Sequence, residues 1–189
     1  EEEEEEEEEI GEEEKEEIEE EEKEYEVMAW WALSDILLRQ RPCNPRTASL
    51  PLLLILSQCE QGLHRPMVEI RTRLQLARIH YVYSSVSRPA VIHLERILLL
   101  LPMQRVTSLS NRLTVQAWDL LSRCYMNVCK FNLAVPLLQK LIDVTSSEAS
   151  TGTSACSVYI NACMNLVSIL AREKKFAKGF ELLRAALCA

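Results

Sequence analysis

Three histidines and seven cysteines are the residues of this chain best suited to chemistry, and their spacing limits what they could do. His64 stands apart, while His80 and His93 fall on different candidate helices with no carboxylate spaced to orient either ring for proton transfer. Cys124 and Cys129 are five apart, and Cys156 and Cys163 seven apart. Neither spacing matches the short C-x₂₋₄-C knuckles of zinc sites, so buried thiols are the better reading. Glu69 and Asp119 each have an arginine four residues on, at Arg73 and Arg123, which is helix ion-pair spacing rather than an acid–base pair. With four glycines in the whole chain, a phosphate-cradling loop has no material to be built from. The expectation is a protein without catalytic, metal or cofactor sites.

Charge is divided unevenly. Residues 1–26 hold twenty glutamates against Lys15 and Lys23, a balance of −18. The remaining nine acids and nineteen bases leave the rest of the chain at +10, although the total is −8. A block of like charge repels itself and buries nothing, so 1–26 reads as a disordered acidic tail, with partial helix where Tyr25 and Val27 join the next segment. The sharper alternative is a tail that folds back on the basic body or binds a basic partner. The basic residues are scattered, and the densest group (Arg172, Lys174, Lys175, Lys178) has no aromatic or glycine-rich platform beside it, which argues against specific nucleic-acid reading. The longest apolar runs fall far short of the roughly 20 residues that a membrane helix needs. An odd number of cysteines inside apolar stretches fits a reducing compartment, cytosol or nucleus. The sequence starts without Met and stops within the apolar pattern Leu182 to Leu187, so a fragment is expected, with an uncapped apolar face over 176–187.

The elements that position these side chains are helical throughout. Apolar residues recur at helical spacing over 25–40, 47–61, 67–85, 89–101, 110–129, 131–144, 153–172 and 175–188, with prolines and Gly62 at the ends. A fixed internal pattern runs through them: Tyr81/Ala90/Leu94/Ile97, Tyr125/Ala134/Leu138/Leu141 and Leu170/Gly179/Leu183/Ala186. Its small residues lie 44 and 45 positions apart, the mark of stacked helical hairpins. The fold expected is all-α, a tetratricopeptide (TPR)-like α-solenoid of about four antiparallel hairpins over 27–189. Ala90, Leu94, Ala134, Leu138, Gly179 and Leu183 would pack each hairpin. Arg78 departs from the rule, since it stands where the first helix wants a small residue, as Ser122 and Val167 do later.

Such arrays work by presenting a surface to another chain. On the first helix of each hairpin, the side away from the seam would carry Gln75, Ile79 and Tyr83, then Asp119, Arg123 and Met126, then Met164, Ser168 and Arg172. That mixture of arginine, methionine and aromatic groups suits an extended peptide; the plainer reading is that several of these residues contact the neighbouring repeat.

Between the repeats lie segments that do not repeat. Trp30-Trp31-Ala32-Leu33 opens a helix, PMVEIRTRLQLA runs from Pro66 to Ala77, HLER from His93 to Arg96, and LLSRCY from Leu120 to Tyr125. This order resembles the N-terminal half of the TPR subunit of the cohesin loader, the MAU-type sister-chromatid cohesion factor, in its plant and green-lineage form. The resemblance covers about 28–188 and leaves the acidic tail outside. It implies a non-enzymatic nuclear adaptor, with the cytoplasm as a second location, that wraps the extended N-terminal segment of the large HEAT-repeat loader (the adherin or Nipped-B type). Through it the chain would act on cohesin and chromatin, with no membrane and no small-molecule substrate. The alternative is a TPR scaffold of another assembly, such as a ubiquitin ligase or trafficking complex.

Overall fold

The computed structural model describes residues 22–40, 44–61, 65–84, 87–103, 107–146 and 153–188. Among them every regular element is helical. The order is α1 over 22–39, α2 (Pro45–Glu60), α3 (Pro66–Tyr83), α4 (Arg88–Leu100) with a 3₁₀ turn (Leu101–Met103), α5 (Ser108–Asn127), α6 (Phe131–Ser146), α7 (Thr153–Arg172) and α8 (Phe176–Cys188). Most of the glutamate run expected to be disordered lies outside the described residues. Residues 22–26, the last of it, already belong to α1. The polar connector after Ser146 is also largely outside them.

Helix starts follow local chemistry. The Asn44 carboxamide oxygen accepts from the backbone N–H of Arg46 (3.1 Å) and Thr47 (3.4 Å), and Pro45 fills the first helical position. This cap starts α2 at Pro45 rather than at Thr47, the position that periodicity suggested. Thr107 and Ser110 cap α5 reciprocally, each side chain bonded to the other's backbone N–H at 3.1 and 2.9 Å.

The described residues form two compact units, divided between Arg65 and Pro66. In the first, the buried Ser34 hydroxyl of α1 donates to the Ala48 carbonyl of α2 at 2.8 Å, with Leu52, Ile55 and Leu56 buried along α2. In the second, each helix packs on the next in order from α3 to α8. One continuous core threads α3 to α7 through Leu74, Leu94, Leu121, Leu138 and Leu166, and Ala90, Ala117, Ala134 and Ala162 are fully buried within it. The Cβ that Gly179 lacks would stand 3.8 Å from Val167 Cγ1, an ordinary contact, so α8 meets α7 at this residue.

Two hairpins close with the same turn. After α5, Lys130 N–H donates to Tyr125 C=O (2.8 Å) and Cys129 N–H to Met126 C=O (3.0 Å), with Cys129 at φ 58°. After α7, Lys175 N–H donates to Leu170 C=O (2.8 Å) and Lys174 N–H to Ala171 C=O (3.1 Å), with Lys174 at φ 59°. These are Schellman closures with a left-handed residue at C′, a place glycine usually takes. They account physically for the repeated interval: the turn fixes how far Tyr125 stands from Ala134, and Leu170 from Gly179. A side chain in the left-handed region costs about 1 kcal/mol. Lys174→Gly is therefore expected to raise the unfolding free energy by roughly 0.5–1 kcal/mol, the gain being trimmed by glycine's freer unfolded chain. Denaturant titration of the two proteins checks this.

Candidate partner-binding face

The strongest side-chain geometry lies where α3, α4 and α5 meet. Glu69 on α3 accepts from Arg73 one turn on (2.6 Å) and from Arg96 on α4 (3.3 Å). Arg73 also reaches His93 Nδ1 at 3.5 Å, and His93 stacks on His80 with ring centroids 5.7 Å apart and planes 9° from parallel. From the other side of the same α4 segment, Glu95 accepts the Tyr125 hydroxyl of α5 at 2.8 Å. Three of the four non-repeating segments are thus tied together: HLER bonds VEIRTR through Arg96 and His93, and LLSRCY through Glu95. Glu69 and Arg73 were expected as a surface pair. Their side chains are instead only 15% and 13% exposed, which makes the pair a part-buried clasp.

The clasp tunes its own groups. Burial first, then the neighbouring positive charges of Arg73 and His80, hold His93 down at about 4, and burial lowers His80. Burial, and then the bond to Glu95, pushes the Tyr125 hydroxyl up to about 12. Because both histidines take up protons more readily unfolded, their contribution is complete above about pH 6.5 and is lost as pH falls toward 4. The melting temperature should fall between pH 7 and pH 5, and His93→Gln should flatten that slope.

The residues expected to face a peptide divide into three kinds. Ile79 is corrected: at 4% exposure it has no surface to offer, because α3 is buried there as well as along Leu74 and Ala77. Gln75 is half-buried and Tyr83 exposed at the end of α3. On α5, Asp119 and Arg123 form a two-pronged pair (Nε to Oδ1 3.1 Å, Nη2 to Oδ2 2.8 Å) that is part-buried rather than a surface pair. Burial raises the Asp119 carboxyl, against the pull of Arg123. Met126 packs on the core from its edge. On α7, Met164 and Ser168 are exposed, and the Arg172 guanidinium lies over the Phe131 ring at 5.1 Å.

Arg78 reaches across to α5 and donates to Gln116 at 3.0 Å, which explains its departure from the small-residue rule: its head ties two first helices together rather than entering the seam. Their spacing puts Asp119, Arg123 and Met126 along one side of α5. Sequence reasoning missed the clasp and also Lys140 over Trp118 (5.7 Å). The four-residue spacing of Glu69 and Arg73 was the visible half of the clasp.

Among the described residues, no group of three or more His, Cys, Asp and Glu side chains could hold a metal ion, and no helix is long and apolar enough to cross a membrane. Cys124 is buried, and its thiol is pushed up to about 11 by that burial, which makes it a poor nucleophile. No family, curated protein or solved structure matches the chain in comparison with known proteins.

Proposed function

We propose that this chain is a non-enzymatic adaptor, a TPR-like array of helical hairpins that holds an extended segment of a larger protein. The observation that carries the reading is the polar, part-exposed side of the first helices, where Arg78 is bonded to Gln116 and Arg123 is held by Asp119, with Met164 open on α7. Guanidiniums fixed in this way are pre-organised to bind backbone carbonyls and side-chain carboxylates of an extended peptide, and an exposed methionine adapts to apolar side chains. The resemblance carried by VEIRTRL and HLER makes that partner the N-terminal segment of the large HEAT-repeat cohesin loader, acting in the nucleus in sister-chromatid cohesion. The test is co-purification of the chain with that segment, wild type against Arg123→Glu and Met164→Glu. Loss of the partner with helicity unchanged supports the reading. Failure to recover the loader, with a different stable partner in its place, sinks the cohesin assignment and leaves a scaffold of another assembly.

A further inference from the structure

We propose that the glutamate run of residues 1–21 docks on a basic edge formed by the hairpin turns of the second unit. The inference comes from charge and from where the turns lie, independently of the peptide-binding face above. Each helix from α3 to α8 packs on the next, and the turns after α3, α5 and α7 reverse the chain at one end. Arg172, in the last turn of α7, lies over Phe131 in the first turn of α6, which sets the last two of these turns side by side. The end of α5 likewise meets α4 through Tyr125 and Glu95.

This end gathers Arg88 at the first turn, Lys130 at the second, and Arg172, Lys174, Lys175 and Lys178 at the third, all exposed. Against these six bases stands one acid, Glu173, 2.7 Å from Lys175. Of the other described acids in α3 to α8, Glu95, Asp119 and Glu181 lie along the helices, and Glu69 and Asp143 lie toward the opposite end. The openness of the edge belongs to the turns rather than to the final helix. Lys130 and Leu133, 45 residues before Lys175 and Lys178, are exposed although α7 and α8 follow them.

The complementary charge is on the same chain. Residues 1–21, outside the described residues, hold 17 glutamates against Lys15, a balance of 1 − 17 = −16. Extended, 21 residues reach about 70 Å, while a 20-residue helix spans roughly 30 Å, so the run is long enough to follow the turns. A tethered anion stands at an effective concentration on the order of 1 mM, ahead of free polyanions at lower concentration. Attraction between exposed charges is screened by salt, so the contact should be salt-sensitive.

The experiment is zero-length carbodiimide cross-linking of the full native chain at low salt, with the monomeric fraction mapped by mass spectrometry. Cross-links from the carboxylates of 1–21 are expected at Lys130, Lys174, Lys175 and Lys178. Lys140, exposed along α6, serves as the control and should give at least tenfold fewer. About 0.5 M salt should remove the links. Lys130→Glu together with Lys178→Glu should cut those at Lys174 and Lys175 at least tenfold. Both substituted positions are exposed, so circular dichroism should match wild type. Absence of links to the turn lysines, or equal linking to Lys140, overturns the proposal. So do links confined to a dimeric fraction, because the run would then dock on a second copy. If the turn lysines instead hold duplex DNA in the native chain, the edge belongs to phosphates and the proposal also fails.

Discussion

Glu69→Ala should lower the unfolding free energy by about 2–3 kcal/mol. Glu69 is shared by two arginines of unequal burial: Arg73 beside it on α3 is 13% exposed and Arg96 on α4 is 49% exposed. Removing the carboxylate takes from the part-buried Arg73 guanidinium the partner it holds at 2.6 Å, while the core around Ile70 and Leu74 stays closed. Breaking a buried pair from one side typically costs about 3–5 kcal/mol, and the solvent still reaching this clasp places the value below that range. Arg96→Ala makes the contrast, since its exposed head recovers water and should cost less than about 1 kcal/mol. A double-mutant cycle on Glu69 and Arg96, read by urea unfolding, measures the part of the clasp that joins α3 to α4. Equal costs for the two single substitutions would mean that the part-buried Glu69–Arg73 contact contributes no more than the exposed Glu69–Arg96 one.

Leu138→Ala should cost about 3 kcal/mol, within the 2–5 kcal/mol usual for a leucine emptied from a tight core. Leu138 is fully buried on α6, in the cluster that joins α5, α6 and α7, where the neighbouring alanines Ala117, Ala134 and Ala162 have no side chain long enough to fill the gap. For a domain stable by about 5–15 kcal/mol this is a large fraction of the total. Leu187→Ala removes the same three carbons from a residue 88% exposed and should change stability by less than about 0.5 kcal/mol. The two substitutions test the assignment of inside and outside along the repeat.

The helical hairpins were legible in the sequence because their cause is local. Apolar spacing marks the helices, and the interval from Tyr125 to Ala134 is set by a turn whose backbone bonds the chain makes with itself. The clasp was not legible, because it depends on how far α4 slides along α3 and which side it turns to α5. Glu69 and Arg96 are 27 residues apart, and no local rule pairs them. Ile79 failed for a related reason: periodicity locates one buried side of α3 and is silent about a second. The clasp also changes what the non-repeating segments mean. In VEIRTR, HLER and LLSRCY, three of the segments that suggested a family, Glu69, Arg73, His93, Glu95, Arg96 and Tyr125 bond to one another, so they specify how α3, α4 and α5 interlock. The face proposed for a partner rests on Met164 on α7 together with the Arg78–Gln116 and Asp119–Arg123 pairs, to which those segments contribute Arg123.

Calorimetric titration of the chain with the extended N-terminal segment of the HEAT-repeat loader tests the central proposal most directly. A 1:1 complex, weakened at least tenfold by Arg123→Glu together with Met164→Glu while Phe180→Glu leaves it unchanged, is the predicted result. No heat of binding with folded wild-type chain, or a complex indifferent to Arg123 and Met164, would contradict it.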